Sequence, residues 1–325
     1  MAKARAIVKR RKAVRNIKKI TKTMQMIATA KFQKSLKRAV GTKPYTLKVR
    51  ELVAELAASV GNVEHPLLRN EAKPKRVAVI VITSNRGLAG AYNGNVLRKA
   101  SGFIRDLKKQ GVEIDLYPIG KRGAAFFRFA KMAAKPTFAV SDVPAYSQVE
   151  PHVQMFVDQF VHGEIDALYV AYMNFISTGV QKPEVTTLLP LSGVSGAADR
   201  VAHDLAEKEA QLKAGSMDQK RTGHDVRADR AKSSEHFESI YEFSPSPGEI
   251  LDELLPLTVK TAFYQSFLDA TTSEHVARMV AMKSATDNAD KMAKGLTLQY
   301  NRARQSQITT ELSEIMGGVE AMKGG

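Results

Sequence analysis

Near the C-terminal end, apolar residues recur in alternating steps of four and three. Ala289, Ala293, Leu296, Tyr300 and Ala303 follow that spacing, and Ile308, Leu312, Ile315 and Val319 resume it after one five-residue step. All but Val319 lie within Leu257 to Met316, a stretch without proline whose only glycine is Gly295. A helix of about 60 residues reaches ~90 Å, whereas a globule of this chain length has a radius of gyration of only ~20 Å. The predicted helix therefore projects from any globule, and its narrow seam requires a partner helix.

The comparable segment is the first one, Ala2 to Val40, where Ile7, Val14, Ile17, Met24 and Ile27/Ala28 make a similar stripe. The two ends of the chain are thus expected to form an antiparallel two-helix coiled coil with everything between them folded at its base. The N-terminal helix should bend near Lys43, before Pro44, and continue to about Val60; Gly61 to Pro74 reads as a linker. Pro256 is expected to kink the start of the C-terminal helix.

Between these helices the period changes. Val77 to Ile82 is a continuous β-branched run suited to a strand buried on both faces, and Ile114 to Ile119 and Ala167 to Met173 repeat the signal. Helical stretches at about Asn93 to Gln110, Lys121 to Met132 and Pro151 to His162 alternate with them, which implies a mainly parallel sheet with crossovers; Glu184 to Leu189 supplies a last strand. The predicted class is α/β plus long helices. Its divisions are an N-terminal coiled-coil helix (1–60), a central α/β domain (75–194), a charged, Ala-rich insertion (195–235) and a C-terminal coiled-coil helix (249–325).

Charge adds a location. The net charge is +16, and 17 of the 49 Lys and Arg but none of the 33 Asp and Glu fall in the first fifty residues, so the remainder is balanced. A cleaved transit peptide is one reading of such an arm, although serine is scarce and the apolar seam runs through it. Nucleic-acid binding is another, with Phe32 and Tyr45 the only aromatic residues in those fifty available for stacking. An acidic protein partner is the third, and a solvated helix face the fourth. There is no cysteine, hence no disulfide or thiolate site, and no apolar run of membrane-spanning length.

Catalytic signals are weak. Ser84-Asn85-Arg86-Gly87-Leu88-Ala89-Gly90-Ala91-Tyr92-Asn93-Gly94 sits between a strand and a helix as a phosphate loop would, yet it matches neither GxGxxG nor GxxxxGK[ST]. A tight strand-to-helix turn needs glycines anyway. The seven histidines show no metal-ligand spacing, Asp287 and Asp290 lie on the polar face of a long helix, and no cofactor is expected. Ser284, Thr286, Asp287 and Asn288 are poor helix formers clustered inside the long helix, a sign of either a packing constraint or strong flanks.

The wording of both ends resembles a known family. Residues 278 to 318 (RMVAMKSATDNADKMAKGLTLQYNRARQSQITTELSEIMGG), Ile20 to Ser35 (ITKTMQMIATAKFQKS) and Ser84 to Asn93 (SNRGLAGAYN) are similar to the γ subunit of the rotary F-type ATP synthase. The resemblance covers nearly the whole chain except roughly 195–235. It implies a non-catalytic central shaft that couples proton-driven rotation to conformational changes in a ring of alpha and beta subunits. The implied partners are that ring, an epsilon subunit and a membrane c-ring, with no nucleic acid. Arg304, Gln305, Thr309 and Glu311 match the family motif RQ..IT.E, and Met24 lies in ITK.M; by resemblance these five face the catalytic subunits. In photosynthetic relatives a segment at the place of the insertion affects regulation, which suggests that residues 195–235 restrain ATP hydrolysis from the base of the coil. The implied location is peripheral, on the cytoplasmic face of an energy-converting membrane, a bacterial inner membrane or a thylakoid. Without the resemblance, a basic coiled-coil nucleic-acid binder and a nucleotide-dependent α/β enzyme remain open.

Overall fold

The computed structural model describes residues 2–60, 65–69, 73–191 apart from 137, 139, 142 and 143, and 247–323; the 195–235 stretch lies outside the described residues. Two helices dominate: α1 spans Ala2–Val60 and the C-terminal helix, here α5, spans Pro247–Lys323. At 77 residues, α5 is ~115 Å long. Both helices continue through their prolines, α1 at Pro44 and α5 at Pro256, near which a bend with continuation and a kink were expected from sequence. Thr42 bridges the first site, its hydroxyl within hydrogen-bond reach of Arg38 O (3.1 Å) and of the Gln265 side chain on α5 (2.8 Å).

The helices run antiparallel. Arg11 lies over the Tyr300 ring, Lys18 meets Asp290, Thr21 meets Thr286 and Thr42 meets Gln265. The α1 seam is Val14, Thr21, Ala28, Phe32, Ser35, Ala39, Thr46, Val49, Val53 and Leu56, whose steps are three, four or their sum. The expected stripe is corrected here. Val14 and Ala28 belong to the seam, but Ile17 (52% exposed), Met24 (37%) and Ile27 (53%) do not. Size decides the matter, because small side chains admit a closely packed neighbour where Ile or Met would hold it off.

On α5 the seam holds through Ala289 (buried) and Ala293, Leu296, Tyr300 and Ala303 (half-buried). The resumed pattern finds no counterpart. Leu312, Ile315 and Val319 are 50–64% exposed, because α1 starts at Ala2 and Arg11 already faces Tyr300. Among the described residues nothing covers them, and α5 ends as a single helix.

At the other end sits the α/β layer. Its elements are β1 (Arg76–Ile82), α2 (Tyr92–Lys109), β2 (Glu113–Ile119), α3 (Lys121–Phe129), α4 (Tyr146–Val161), β3 (Ala167–Phe175) and β4 (Gln181–Leu189). The strand order is β2-β1-β3-β4, with β1 parallel to both β2 and β3, and β4 antiparallel to β3. The β1 run is continuous in hydrophobicity because both faces are covered. Ala78, Ile80 and Ile82 face α4 and the base of α5, whereas Val77, Val79 and Val81 pack against α2 and Phe127 of α3. Leu251, Leu255, Val259, Phe263 and Phe267 of α5 and Val53 and Leu56 of α1 enter the first of these cores, so the coil and the sheet share one interior. Where β3 outruns its pairing with β1, the Ser273 hydroxyl of α5 donates to Met173 O at 3.2 Å.

Candidate partner interface

The crevice beyond the carboxyl ends of the parallel strands is where open α/β sheets bind ligands. Here it is closed. Phe267, Ala270, Thr271 and Glu274 of α5 stand across it, against Thr83, Asn85, Tyr92 and Gly120, and the remaining gap suits water rather than a nucleotide. At the N-terminus of α3 the backbone donors a phosphate would need are engaged. Lys121 N donates to Asn85 Oδ1 (3.3 Å), Arg122 N to Ser84 O (3.1 Å) and Gly123 N to Thr83 Oγ1 (2.8 Å). Glycine at 120 is required sterically: with φ at +89°, a Cβ there would sit 2.2 Å from Thr83 O.

The Gly-rich loop after β1 instead docks on the shaft. A Cβ at Gly90 would already touch Ala281, and Arg278 of α5 reaches Gly87 O (3.4 Å) and Arg86 O (3.5 Å) while pairing with Glu274 at 2.6 Å. Burial pushes the Tyr92 phenol well above its ordinary range, with the Glu274 carboxylate adding to the effect and Arg278 opposing it. No His, Asp or Glu cluster fit to hold a metal occurs among the described residues.

What the structure offers outward is the two-helix shaft. Its polar middle is ordered. The Lys18 ammonium donates to Asp290 at 2.5 Å and Lys294 lies 3.1 Å from the same carboxylate; hydrogen bonding to Lys18, then to Lys294, holds Asp290 below the usual carboxylate range. One turn away, the buried Thr286 hydroxyl meets the Thr21 hydroxyl at 2.8 Å. This explains the cluster of poor helix formers in part: Thr286 is a seam residue, while Ser284, Asp287 and Asn288 are exposed.

Met24 is exposed, and so are Arg304, Gln305, Thr309 and Glu311. Thr309 bonds back to Gln305 O (3.0 Å), and Glu311 accepts from Gln307 (2.8 Å). The five do not form one site. Met24 stands just past the Thr21–Thr286 contact, so the other four lie on the order of 30 Å further along the shaft at 1.5 Å per residue. Sequence reasoning missed the neighbours of Met24: Ile17, Ile20, Met24 and Ile27 make a second, outward stripe, each 37–58% exposed. Their three-four-three spacing was visible, but it overlaps the true seam and was merged with it. Phe32, one of two candidate stacking aromatics, is buried against Phe175 at a ring distance of 6.2 Å, which removes it from any nucleic-acid surface.

A family model described as "ATP synthase" matches residues 3–322. The ATP synthase gamma chain of Rhodopirellula baltica is 39% identical over 325 residues, all of both chains, and that of Leptospira biflexa is 37% identical over 323 residues, 99% of this chain and 100% of that one. Among solved structures, a chain of the Euglena gracilis mitochondrial ATP synthase OSCP/F1/c-ring assembly superposes with a TM-score of 0.60 at 16% identity, covering 99% of this chain and 95% of its own. A chain of the Tetrahymena thermophila mitochondrial ATP synthase central stalk/c-ring gives 0.52 at 17% identity, covering 82% and 99%. At those identities the likeness is one of fold.

Proposed function

Because this chain belongs to the ATP synthase gamma-chain family, we propose that it is the non-catalytic central-stalk subunit of a proton-translocating F-type ATP synthase. In this reading the coil of 1–60 and 249–325 is the shaft, the α/β domain (75–194) is its foot, and 195–235 is an insertion. The observation that carries it is the shaft itself: a helix pair projecting from a small domain whose ligand crevice is closed by the shaft's own residues.

A rotor must present a different face to each surrounding subunit as it turns, since only differential contact shifts a conformational equilibrium. This coil does so. One flank carries the basic α1 surface with its apolar stripe Ile17, Ile20, Met24 and Ile27, suited to acidic loops of alpha and beta subunits. A second station carries Arg304, Gln305, Thr309 and Glu311, and the exposed α5 end lies beyond it. The foot would meet an epsilon subunit and the membrane c-ring. No described helix is long and apolar enough to cross a membrane, and attachment is proposed to be peripheral, on the cytoplasmic face of an energy-converting membrane, through those partners.

Affinity capture from native membranes, with a tag inserted at Gly215, tests the assignment. Nucleotide-binding subunits should co-purify with magnesium-dependent ATP hydrolysis that the chain alone lacks. Recovery of nuclease-sensitive nucleic acid as the main partner, without ATPase, would overturn it in favour of the basic coiled-coil binder.

A further inference from the structure

Among the described residues between α1 and β1 lies a short 3-10 turn, Pro66–Leu68, and His65 is its N-cap. The Leu67 N–H donates to His65 Nδ1 at 3.0 Å, and the ring's other nitrogen, Nε2, faces Asp252 Oδ1 of α5 at 3.6 Å. The imidazole is largely enclosed, its side chain 12% exposed, and Leu67 behind it is fully buried in the core shared by coil and sheet. Leu67 O in turn accepts from Leu191 N at 3.0 Å. The ring thus holds the turn and faces the base of the long helix, while the turn's own Leu67 carbonyl holds the exit from β4.

The two hydrogen-bonding roles differ in their tolerance of protons. With Nδ1 accepting from an N–H, the ring must be neutral and protonated at Nε2, where its N–H points toward Asp252. A second proton has one place to go, Nδ1, and there it meets the Leu67 N–H donor to donor. We propose that His65 is a pH-operated clasp: neutral, it holds the turn and faces the base of α5 together, and doubly protonated, it releases the turn.

Asp252 is the charged group that bears on the ring among the described residues; Arg69 of the same turn is directed at the Phe160 ring and carbonyl of α4. Burial lowers the pKa of His65 from its ordinary 6.5, and Asp252 partly opposes this. Because the folded value lies below the unfolded one, the contribution of the clasp is complete above pH 6.5 and is lost as pH falls through the lowered folded value.

Amide hydrogen exchange of the full chain, corrected for intrinsic rates, reads the clasp at Leu67. Between about pH 7.5 and pH 5.5 protection of that amide should fall roughly tenfold in the wild type and stay constant in His65→Asn, whose side-chain oxygen caps the turn without titrating. Should the variant not fold, Asp252→Asn serves instead: with the opposing carboxylate gone, the loss of protection moves to lower pH. Unchanged wild-type protection, an equal fall in His65→Asn, or an unmoved transition in Asp252→Asn would each refute the clasp.

Discussion

Thr21 and Thr286 show how a single polar pair can matter in a seam. Each hydroxyl also has a local carbonyl within reach, Lys18 O for Thr21 (3.1 Å) and Met282 O for Thr286 (2.8 Å), so neither depends wholly on the other. Replacing one with isosteric valine leaves a hydroxyl facing a methyl group, and Thr286→Val should cost about 1–2 kcal/mol. The double change to valine restores an apolar match and should cost less than the two single changes added together. A double-mutant cycle by thermal or denaturant unfolding reads this difference, and strict additivity would show that the pair contributes nothing as a pair. A buried polar contact also favours one register of the two helices, since any other register places each hydroxyl against a different neighbour.

At the level of elements, the end of α5 separates stability from function. Residues 312–319 are exposed on a single helix that nothing in the described chain covers. Deleting the chain from Leu312 onward should leave the thermal midpoint within about 1 °C, because little apolar surface is buried there, while ATP hydrolysis in the assembled complex should fall. A clear drop in midpoint would mean that the tip packs onto the rest of the chain. The same region shows what sequence can and cannot convey. The strands were legible in runs such as Val77 to Ile82, as were the two helices, and the antiparallel arrangement followed from one narrow seam meeting another. Which α1 residues fill that seam was not legible, because hydrophobicity favours Ile17 and Met24 while the packing distance favours Thr21 and Ala28. Whether Ile308 to Val319 have a partner was equally hidden, because a heptad pattern states that a partner is needed without stating who supplies it. The exposure of Met24 and of Arg304, Gln305, Thr309 and Glu311 reflects position on the shaft.

Across the whole molecule, the charge asymmetry follows the architecture. The arm with no acidic residue in its first fifty belongs to the helix pair that projects from the foot. Association with an acidic ring should therefore be steered electrostatically. The on-rate of the chain for that ring should fall about tenfold or more between low and physiological ionic strength, with a smaller change in off-rate, as stopped-flow measurements would show. A salt-independent on-rate would point to docking through the apolar stripe alone. The shared interior gives this design its rigidity: Phe263, Phe267 and Ser273 join α5 to the sheet, so a twist applied at the foot enters the shaft through packed side chains.

The contact between Lys18 and Asp290 joins residues separated by 272 positions. On the ribosome α1 precedes α5, and the seam residues between them, such as Thr21 and Ala28, stay uncovered until the matching part of α5 has been made. The strands, within 76–189, are all made in that interval, but the sheet face that packs on Leu251, Leu255 and Phe263 waits for α5 as the first helix does. The slow, error-prone stage of biogenesis is then the final docking of the two ends. Chains cut short before α5 leave one face of the sheet bare beside an orphaned, strongly basic helix, and these are the products that quality control must recognise.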